Sequence, residues 1–436
     1  MLIPGRALTA TEAGSHALRL LLFFFAFYAL LTFYVRSQSY RDPTSVFFNP
    51  WTAYDPEYTN IRLKEADAYI ESVNNNVTET TVPKAGEKPG LCVGIASIAR
   101  HGVRYFKSSV GTVLEGLSEA ERADIHLILF IAHTDPTEHP AYAEPWLHNV
   151  PDQLLLYDPA TVDIDYIHSL ETEAAKVSGR EKALFDYTYL LQACEAVGSP
   201  YVIMLEDDVV ALDGWYHRTR AALDSAEQQA DAIGAPKWLY LRLFYTEEFL
   251  GWNAEEWPVY LIYSAITVAL AACTCLSARQ YLPRLRPHLP NFAILLICSI
   301  CTPLLIGLFF AAGRVSTFPI PEGVHQMPRF GCCSQAFVFP RSRIPELVDL
   351  YRTKHIGYVD VITEEFANAN GEIRWAVTPT IMQHAGRRSS KSASTDSDVP
   401  LRHKSKAEMS EVEKLWNFGF EMNDGDALRA EHDAVT

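Results

Sequence analysis

The length, composition and charge of the chain limit what it can be. Its 436 residues, of which 48% are hydrophobic, can bury one large domain or two modest ones. The formal net charge of −16 argues against a nucleic-acid partner, because binding to phosphates needs a basic surface.

The first apolar segment predicts an N-terminal membrane anchor. Residues 20–35 are apolar with Thr32 as the main polar interruption. A cleavable signal peptide is the alternative, but no small-residue cleavage pattern follows this segment. We therefore predict a cytoplasmic tail over residues 1–16 and a transmembrane signal anchor over residues 17–35.

Two later apolar segments predict a transmembrane hairpin. Residues 257–276 and 291–313 contain no charge and match the roughly 20 residues that cross a bilayer. A pair of buried core helices is the alternative. The connector, residues 277–290, carries three arginines and no acid, so the positive-inside rule puts it in the cytoplasm. Both large soluble segments would then face the lumen.

Two further features are compatible with a luminal location. Asn76-Val77-Thr78 is a glycosylation sequon, which is usable only in the secretory lumen. Cys92, Cys194, Cys332 and Cys333 lie outside the apolar segments, and an oxidising lumen favours at least one disulfide among them. Three pairings are possible, and the sequence does not choose between them.

The soluble segments predict a stem followed by an α/β domain in two parts. The stem covers residues 36–89, with one helix at about 58–73, and the domain covers residues 90–256 and 314–385. Each part looks too incomplete to close its own sheet, so the hairpin interrupts one domain. Strands are predicted at 91–98, 124–132, 153–157 and from 201, and helices at 107–119 and 180–197. This alternation predicts a doubly wound parallel sheet, which binds ligands at the carboxyl ends of its strands.

The remaining residues, 386–436, predict a polar and partly disordered tail. Residues 386–414 are rich in Ser, Arg, Lys and Asp and show no periodicity. Residues 415–420 are too aromatic for a free tail, so we expect them to dock back onto the domain.

An acidic triplet at a predicted strand end is the main candidate site. The apolar run from Tyr201 to Leu205 ends in Glu206-Asp207-Asp208, and apolar residues resume at Val209. Carboxylates flanked by buried strand residues need a cation to neutralise them. Oxygen ligands suit Mg²⁺ or Mn²⁺, which also hold phosphate-bearing substrates. An acidic turn between strand and helix is the alternative, but such turns usually have polar flanks.

A metal held by Asp208 and a nucleotide diphosphate is typical of sugar-nucleotide glycosyltransferases. The metal would neutralise the charge that develops on the leaving diphosphate. The order of elements resembles the A-type glycosyltransferase fold, a Rossmann-like α/β fold, and Glu206-Asp207-Asp208 resembles its Asp-x-Asp motif. We therefore assign Asp208 as a metal ligand and Glu206 and Asp207 to donor binding, with Mn²⁺ or Mg²⁺ as cofactor.

Two segments extend the resemblance to the N-glycan-branching N-acetylglucosaminyltransferases. They are residues 182–187, which lead towards the acidic strand, and Gln383-His384-Ala385-Gly386. In many A-type enzymes a histidine near the domain's end is a further metal ligand, and His384 matches that position; an ordinary histidine is the alternative. Arg100, Arg104 and Lys182 could pair with the diphosphate or orient the uracil, although as surface charges they would need no explanation.

The whole architecture resembles the Golgi GPI N-acetylgalactosamine transferase family, also called post-GPI attachment to proteins factor 4. The resemblance rests on the anchor, the acidic triplet, the inserted hairpin and Gly331-Cys332-Cys333-Ser334-Gln335-Ala336, and covers residues 17–420. It implies transfer of N-acetylgalactosamine from a UDP-sugar to the first mannose of a GPI-anchor glycan, with Mn²⁺, in the Golgi membrane and on its luminal side. The donor sugar, acceptor linkage and oligomeric state are not decided by the sequence.

If the family's inverted linkage holds here, the reaction needs a general base for the acceptor hydroxyl. Candidates are Glu364, then Asp360, with Glu365 as a neighbour; Asp360 and Glu364 share one helix face. A solvated helix N-terminus is the alternative.

Three other functions compete with this interpretation. An N-glycan-branching N-acetylglucosaminyltransferase is the nearest, but the hairpin argues against it. A catalytically inactive GPI-lipid-binding membrane protein is opposed by the intact acidic triplet and His384. A transporter would need ionisable residues at membrane depth, and the second and third spans have none.

Overall fold

A computed structural model describes residues 10–75, 83–99, 105–172, 176–235, 237–327, 331–386 and 415–436. The chain forms two compact units. The first, Met1–Tyr54 with Glu247–Ile320, contains the apolar helices, and the second, Asp55–Thr246 with Pro321–Thr436, contains the sheets. The sequon at Asn76 and the tail residues 387–414 lie outside the described residues.

Three helices of the described chain are long and apolar enough to cross a membrane. They are Leu18–Gln38, Ala254–Tyr281 and Asn291–Ala311, and their apolar surfaces are largely exposed. The third contains a π-helical turn at Ile297–Cys301, two residues before Pro303. Proline has no N–H to donate, which makes a local change of hydrogen bonding expected there. The prediction of three candidate membrane spans is confirmed.

In the first unit, hydrogen bonds join the C-terminal end of the third span to two other segments. These are the segment that follows the first span and the segment that precedes the second. Val46 N donates to the Ala311 carbonyl at 2.9 Å, and Trp252 Nε1 donates to the Phe310 carbonyl at 3.1 Å. Gly313, at φ +91°, lies against Asp42 so closely that a Cβ would overlap the carboxylate. The chain therefore enters and leaves the hairpin at the same end of the helices.

The second unit is an α/β domain, as predicted, but its large sheet is mostly and not entirely parallel. Its strands are β1 (Leu91–Ser97), β2 (Ile125–Ile131), β3 (Gln153–Leu155), β4 (Tyr201–Glu206), β5 (Val209–Ala211), β6 (Tyr240–Arg242), β7 (Gly323–Gln326), β8 (Ala336–Pro340), β9 (Arg374–Thr378) and β10 (Met382–His384). Eight of them form one sheet in the order β3-β2-β1-β4-β8-β6-β9-β7, in which β8 and β7 run against the rest. β5 and β10 form a separate antiparallel pair.

The large sheet separates two apolar cores because alternate strand residues point to opposite faces. Val93, Leu127 and Ile203 belong to one core, and Cys92, Ile128 and Val202 to the other. The main helices of the unit are Glu57–Asn75, Tyr105–Leu114, Glu119–Ala123, Pro145–Asn149, Ile164–Thr172, Lys176–Val197, Trp215–Ala232, Ile344–Lys354, Val359–Asn370 and Gly425–Val435. The helix predicted in the stem, Glu57–Asn75, packs into the first core through Tyr58 and Ile70.

Strand order determines where a ligand can bind. From β1 the chain continues to β2 and β3 on one side and then returns to β4 on the other, with Ala96 beside Glu206. Such a reversal opens a crevice at the carboxyl ends of the two strands. The antiparallel β8 starts at the same edge, where Ala336 pairs with Leu205. The acidic triplet therefore lies at the crevice.

The structure also decides the cysteine pairing and the course of the tail. Disulfides join Cys92 to Cys194 and Cys332 to Cys333. The aromatic segment of residues 415–420 is docked, as predicted, with three of its rings buried: Trp416, Phe418 and Phe420. The helix Gly425–Val435 that follows was not predicted, since the sequence analysis treated this region as part of a polar, partly disordered tail.

Candidate active site

The acidic triplet forms the turn between β4 and β5. Buried apolar residues on both sides, Val202–Leu205 and Val209–Leu212, hold the turn in place. Asp207 and Asp208 are buried, and Glu206 is half-buried at the end of β4. Three carboxylates at one buried turn need polar partners, and each has a different set.

Glu206 is bound by the loop that precedes β8. Ser334 Oγ donates to Glu206 Oε1 at 2.6 Å, and Glu206 N donates to the Gln335 carbonyl at 3.0 Å. This loop belongs to the Gly331–Ala336 motif, so two motifs that are 128 residues apart in sequence meet here. The antiparallel pairing of β8 with β4 brings them together.

Asp207 is oriented by a chain of two residues that the sequence did not single out. Ala141 N donates to His139 Nδ1 at 3.2 Å, so His139 Nε2 carries the proton and donates to Ser97 Oγ at 3.1 Å. Ser97 in turn donates to Asp207 Oδ2 at 2.5 Å. Burial, together with the nearby His133, lowers the pKa of His139 to about 4. His139 is therefore neutral at pH 7, as this hydrogen-bond order requires.

An open cleft lies beside Asp207. It is lined by Ser97, Ile98, Tyr105, Phe106, Lys107, His139, Pro140, Ala141, Glu144 and Asp207. The cleft offers two aromatic rings, a lysine and the hydrogen-bonded Ser97 at the carboxyl end of β1. A position at the carboxyl end of a predicted strand is the signal in the sequence that could have found Ser97.

Asp208 faces His384 across the β5–β10 pair. His384 pairs with Val209 in the register, and Ala385 N donates to the Asp208 carbonyl at 2.9 Å. Asp208 Oδ2 lies 3.5 Å from His384 Nε2, and both side chains are buried. Burial opposes protonation of His384, but the charge and hydrogen bond of Asp208 outweigh it and raise the pKa of the imidazole.

Gly386 leaves space next to these two groups. A Cβ at this position would overlap the Asp208 carboxylate and lie 2.9 Å from His384 Nε2. Any side chain at residue 386 would therefore fill the place of a cation that Asp208 and His384 could share. A carboxylate oxygen and a neutral imidazole nitrogen are suitable donors for Mn²⁺. These residues fit a divalent cation, which would compete with the proton on His384.

Glu364 is buried in a network of cationic and hydroxyl donors. Arg374 Nη1 donates to its Oε2 at 2.5 Å and Arg242 Nη2 to its Oε1 at 2.8 Å. The Tyr240 hydroxyl also donates to Oε1. Both carboxylate oxygens are thus engaged, which is typical of a buried charge that is compensated by its neighbours. Its role as general base stays a prediction.

The other two acids of this helix differ in exposure. Asp360 is half-buried in the first turn of the helix, and its carboxylate lies within 4.8 Å of the sulfurs of Cys332 and Cys333. Those cysteines belong to the loop that binds Glu206. Glu365 is exposed and pairs with Lys354 at 3.4 Å. Asp360 is therefore connected to the acidic turn through one loop, whereas Glu365 points to solvent.

Lys182 is engaged inside the domain. Its ammonium donates to the Ala132 carbonyl at 2.7 Å, to Asp186 Oδ2 at 2.9 Å and to the Tyr157 hydroxyl at 3.0 Å. These contacts explain its burial without a ligand. Arg100 and Arg104, the other candidates for diphosphate or uracil binding, lie outside the described residues.

Comparison with known proteins identifies the family. The GPI-N-acetylgalactosamine transferase PGAP4 family matches residues 91–383, more than half of the chain. The match includes the acidic turn, the hairpin and the Gly331–Ala336 loop. In addition, residues of this chain are 24% identical over 143 positions to the alpha-1,3-mannosyl-glycoprotein 4-beta-N-acetylglucosaminyltransferase B of Danio rerio.

That likeness is partial, since it covers 29% of this chain and 24% of the Danio rerio protein. Both comparisons nevertheless point to sugar transfer, and the sequence resemblance to these two groups of transferases is confirmed. The family match begins with β1 and ends at residue 383, within β10, so it spans nearly the whole sheet region described above. The chain belongs to the GPI-N-acetylgalactosamine transferase PGAP4 family.

Proposed function

We propose that the protein is a membrane-bound, metal-dependent glycosyltransferase that transfers N-acetylgalactosamine from a UDP-sugar to a mannose of the GPI-anchor glycan. Family membership over residues 91–383 is the observation that carries this proposal. The acidic turn beside His384 would supply the charge stabilisation that such a reaction needs. We place the protein in the Golgi membrane with the catalytic domain on the luminal side, in agreement with the arginine-only connector.

The A-type glycosyltransferase fold is the architecture we propose for the second unit. Its support is the crevice between β1 and β4, with the acidic turn at the carboxyl end of β4. In open α/β sheets this is where nucleotides bind. The cleft beside Asp207, with Tyr105, Phe106 and Lys107, would receive part of the UDP.

Each acidic residue then has a task. Asp208 and His384 would hold Mn²⁺ or Mg²⁺, which when bound supplies positive charge to stabilise the leaving UDP. Asp207, fixed by Ser97, and Glu206, fixed by Ser334, would orient the donor. Preorganised groups of this kind cost little reorganisation when the reaction occurs.

If the transfer inverts the linkage of the sugar, a general base has to accept the proton of the acceptor hydroxyl, and we propose a carboxylate for this task. Of the three candidates, Asp360 has the geometry that suits this task best. Its carboxylate is half-buried near the loop that binds Glu206, whereas Glu364 is already engaged by Arg242 and Arg374. We therefore propose Asp360 before Glu364, and Glu365 last.

The likeness to the Danio rerio enzyme supports one alternative, an N-glycan-branching N-acetylglucosaminyltransferase. The two functions differ in donor and acceptor and can be separated in one experiment. The purified full chain would be assayed in detergent with Mn²⁺ against a panel of UDP-sugars, with a GPI glycan or an N-glycan as acceptor. We expect transfer from UDP-N-acetylgalactosamine to the GPI glycan.

Two variants make the assay specific. Asp208→Asn should reduce transfer at least about 100-fold, because charge stabilisation of the leaving group is lost. Asp349→Asn, the same change at an exposed position of helix Ile344–Lys354, should leave it unaltered. Transfer only from UDP-N-acetylglucosamine to the N-glycan would favour the alternative. Full activity of Asp208→Asn, or no transfer from any donor, would refute the proposal.

A further inference from the structure

We infer that the C-terminal segment, residues 415–421, is a positioning element of the active site that orients His384 towards the metal; this rests on the proposed function. His384 Nδ1 lies 3.0 Å from the carbonyl oxygen of Leu415. A carbonyl only accepts, so Nδ1 carries a proton, and Nε2 is the ring nitrogen that is left to bind a cation when its own proton is displaced. Nε2 is the atom that faces Asp208 at 3.5 Å. The tail thus selects the tautomer that can bind a cation.

A reciprocal pair of hydrogen bonds holds this segment beside β10. Asn417 N donates to Gln383 Oε1 at 2.9 Å, and Gln383 Nε2 donates back to the Asn417 carbonyl at 2.8 Å. Gln383 is fully buried, and Asn417 is 2% exposed. Because Gln383 precedes His384 and Asn417 lies two residues after Leu415, the pair sets the distance between the Leu415 carbonyl and the imidazole.

Glu421 extends the same network to the first helix of the domain. Gln383 Nε2 also donates to Glu421 Oε1 at 2.9 Å. Thr59 donates to the same carboxylate through its hydroxyl at 2.5 Å and its backbone N–H at 3.1 Å. The Phe420 ring packs against Tyr58 at 5.3 Å between centroids. The segment is therefore fixed on two sides, by β10 and by helix Glu57–Asn75.

Metal chemistry indicates that the C-terminal segment orients His384 and does not only pack against the domain. A histidine ligand normally donates its other ring N–H to a fixed acceptor, and loss of that arrangement weakens metal binding by about 10- to 100-fold. The Leu415 carbonyl is that acceptor here. The family match ends at residue 383, so the segment lies outside the part of the chain on which the family assignment rests.

The test compares two substitutions that both weaken attachment of the C-terminal region. Gln383→Leu removes the pair with Asn417 and the bond to Glu421. Arg429→Ala removes the contacts of the following helix with Glu65 and Asp213 but none near His384. Mn²⁺ binding to the purified full chain would be titrated by the electron paramagnetic resonance signal of free Mn²⁺, and unfolding temperatures would be measured in parallel.

We expect Gln383→Leu to weaken Mn²⁺ binding about 10- to 100-fold, while Arg429→Ala lowers the unfolding temperature and leaves Mn²⁺ affinity unchanged. Thr59→Val, which removes only the hydroxyl bond to Glu421, should shift Mn²⁺ affinity in the same direction by less. This variant keeps the test decisive if Gln383→Leu does not fold.

Two other outcomes are distinguishable. This inference alone would be overturned if Mn²⁺ binding requires His384 and Gln383→Leu nevertheless binds Mn²⁺ with unaltered affinity. If Gln383→Leu is unfolded, the same result in Thr59→Val would overturn it. The proposed metal site would be overturned if the unaltered protein does not bind Mn²⁺, or if Mn²⁺ binding is retained in His384→Ala. In either case this inference would be overturned with it.

Discussion

The contrast between Glu364 and Asp360 gives the sharpest prediction. Glu364→Gln removes the charge that compensates two buried guanidinium groups, those of Arg242 and Arg374, which are 0% and 5% exposed. Removing one partner of a buried ion pair costs about 3–5 kcal/mol of stability. For a large domain, about 2 °C is lost per kcal/mol, so the unfolding temperature should fall by about 6–10 °C.

Asp360→Asn should behave in the opposite way. The carboxylate is half-buried in the first helical turn, and its replacement should change stability by less than about 0.5 kcal/mol. If Asp360 is the general base, the same substitution should lower kcat by about 100- to 10,000-fold without weakening donor binding.

Thermal unfolding of the purified protein, UDP binding and single-turnover transfer would be measured for both variants. Glu364→Gln should then lose stability and, at a temperature where it remains folded, retain donor binding. An unaltered unfolding temperature for Glu364→Gln combined with lost transfer would refute the reasoning and return Glu364 to the role of base. Normal transfer by Asp360→Asn would exclude Asp360.

Three other predictions follow from topology and charge. A tag inserted within residues 279–290 should be accessible from the cytosol while Asn76 carries glycan, and protection of the tag in sealed microsomes would reverse the orientation. Replacement of residues 257–313 by a short flexible linker should spare UDP binding but sharply reduce transfer to GPI in membranes, because the hairpin no longer restricts the height and orientation of the catalytic domain at the bilayer. Equal loss of UDP binding and transfer would make the hairpin structural. His139 has a pKa of about 4 in the folded state and 6.5 in the unfolded state, so the unfolded state binds the proton more readily. The free energy of unfolding should therefore fall as the pH drops from 6.5 towards 4. His139→Gln should flatten this part of the profile in thermal unfolding, and an unchanged slope would contradict the assignment.

Local patterns were sufficient for a large part of the protein. Membrane spans depend on length and composition alone, so residues 257–276 and 291–313 could be recognised without a fold. The strand that ends at Glu206-Asp207-Asp208 was predictable because a short apolar run followed by acids is a local signal. Docking of the aromatic segment around Trp416 was also predictable, since exposed aromatic clusters are unfavourable in water.

The partners of those residues depended on tertiary structure. Ser97 meets Asp207 across 110 residues, and Ser334 meets Glu206 across 128. These contacts are created by strand order, which depends on the packing of both sheet faces and not on local sequence.

Burial is the other property that only the fold decided. Sequence spacing placed Asp360 and Glu364 on one helix face and gave no reason to separate them. The structure surrounds Glu364 with Arg242 and Arg374, which come from β6 and β9, and leaves Asp360 near the loop before β8. Two carboxylates on one helix face thus differ in their surroundings because long-range packing, rather than their neighbours in sequence, determines which charges and donors lie next to each.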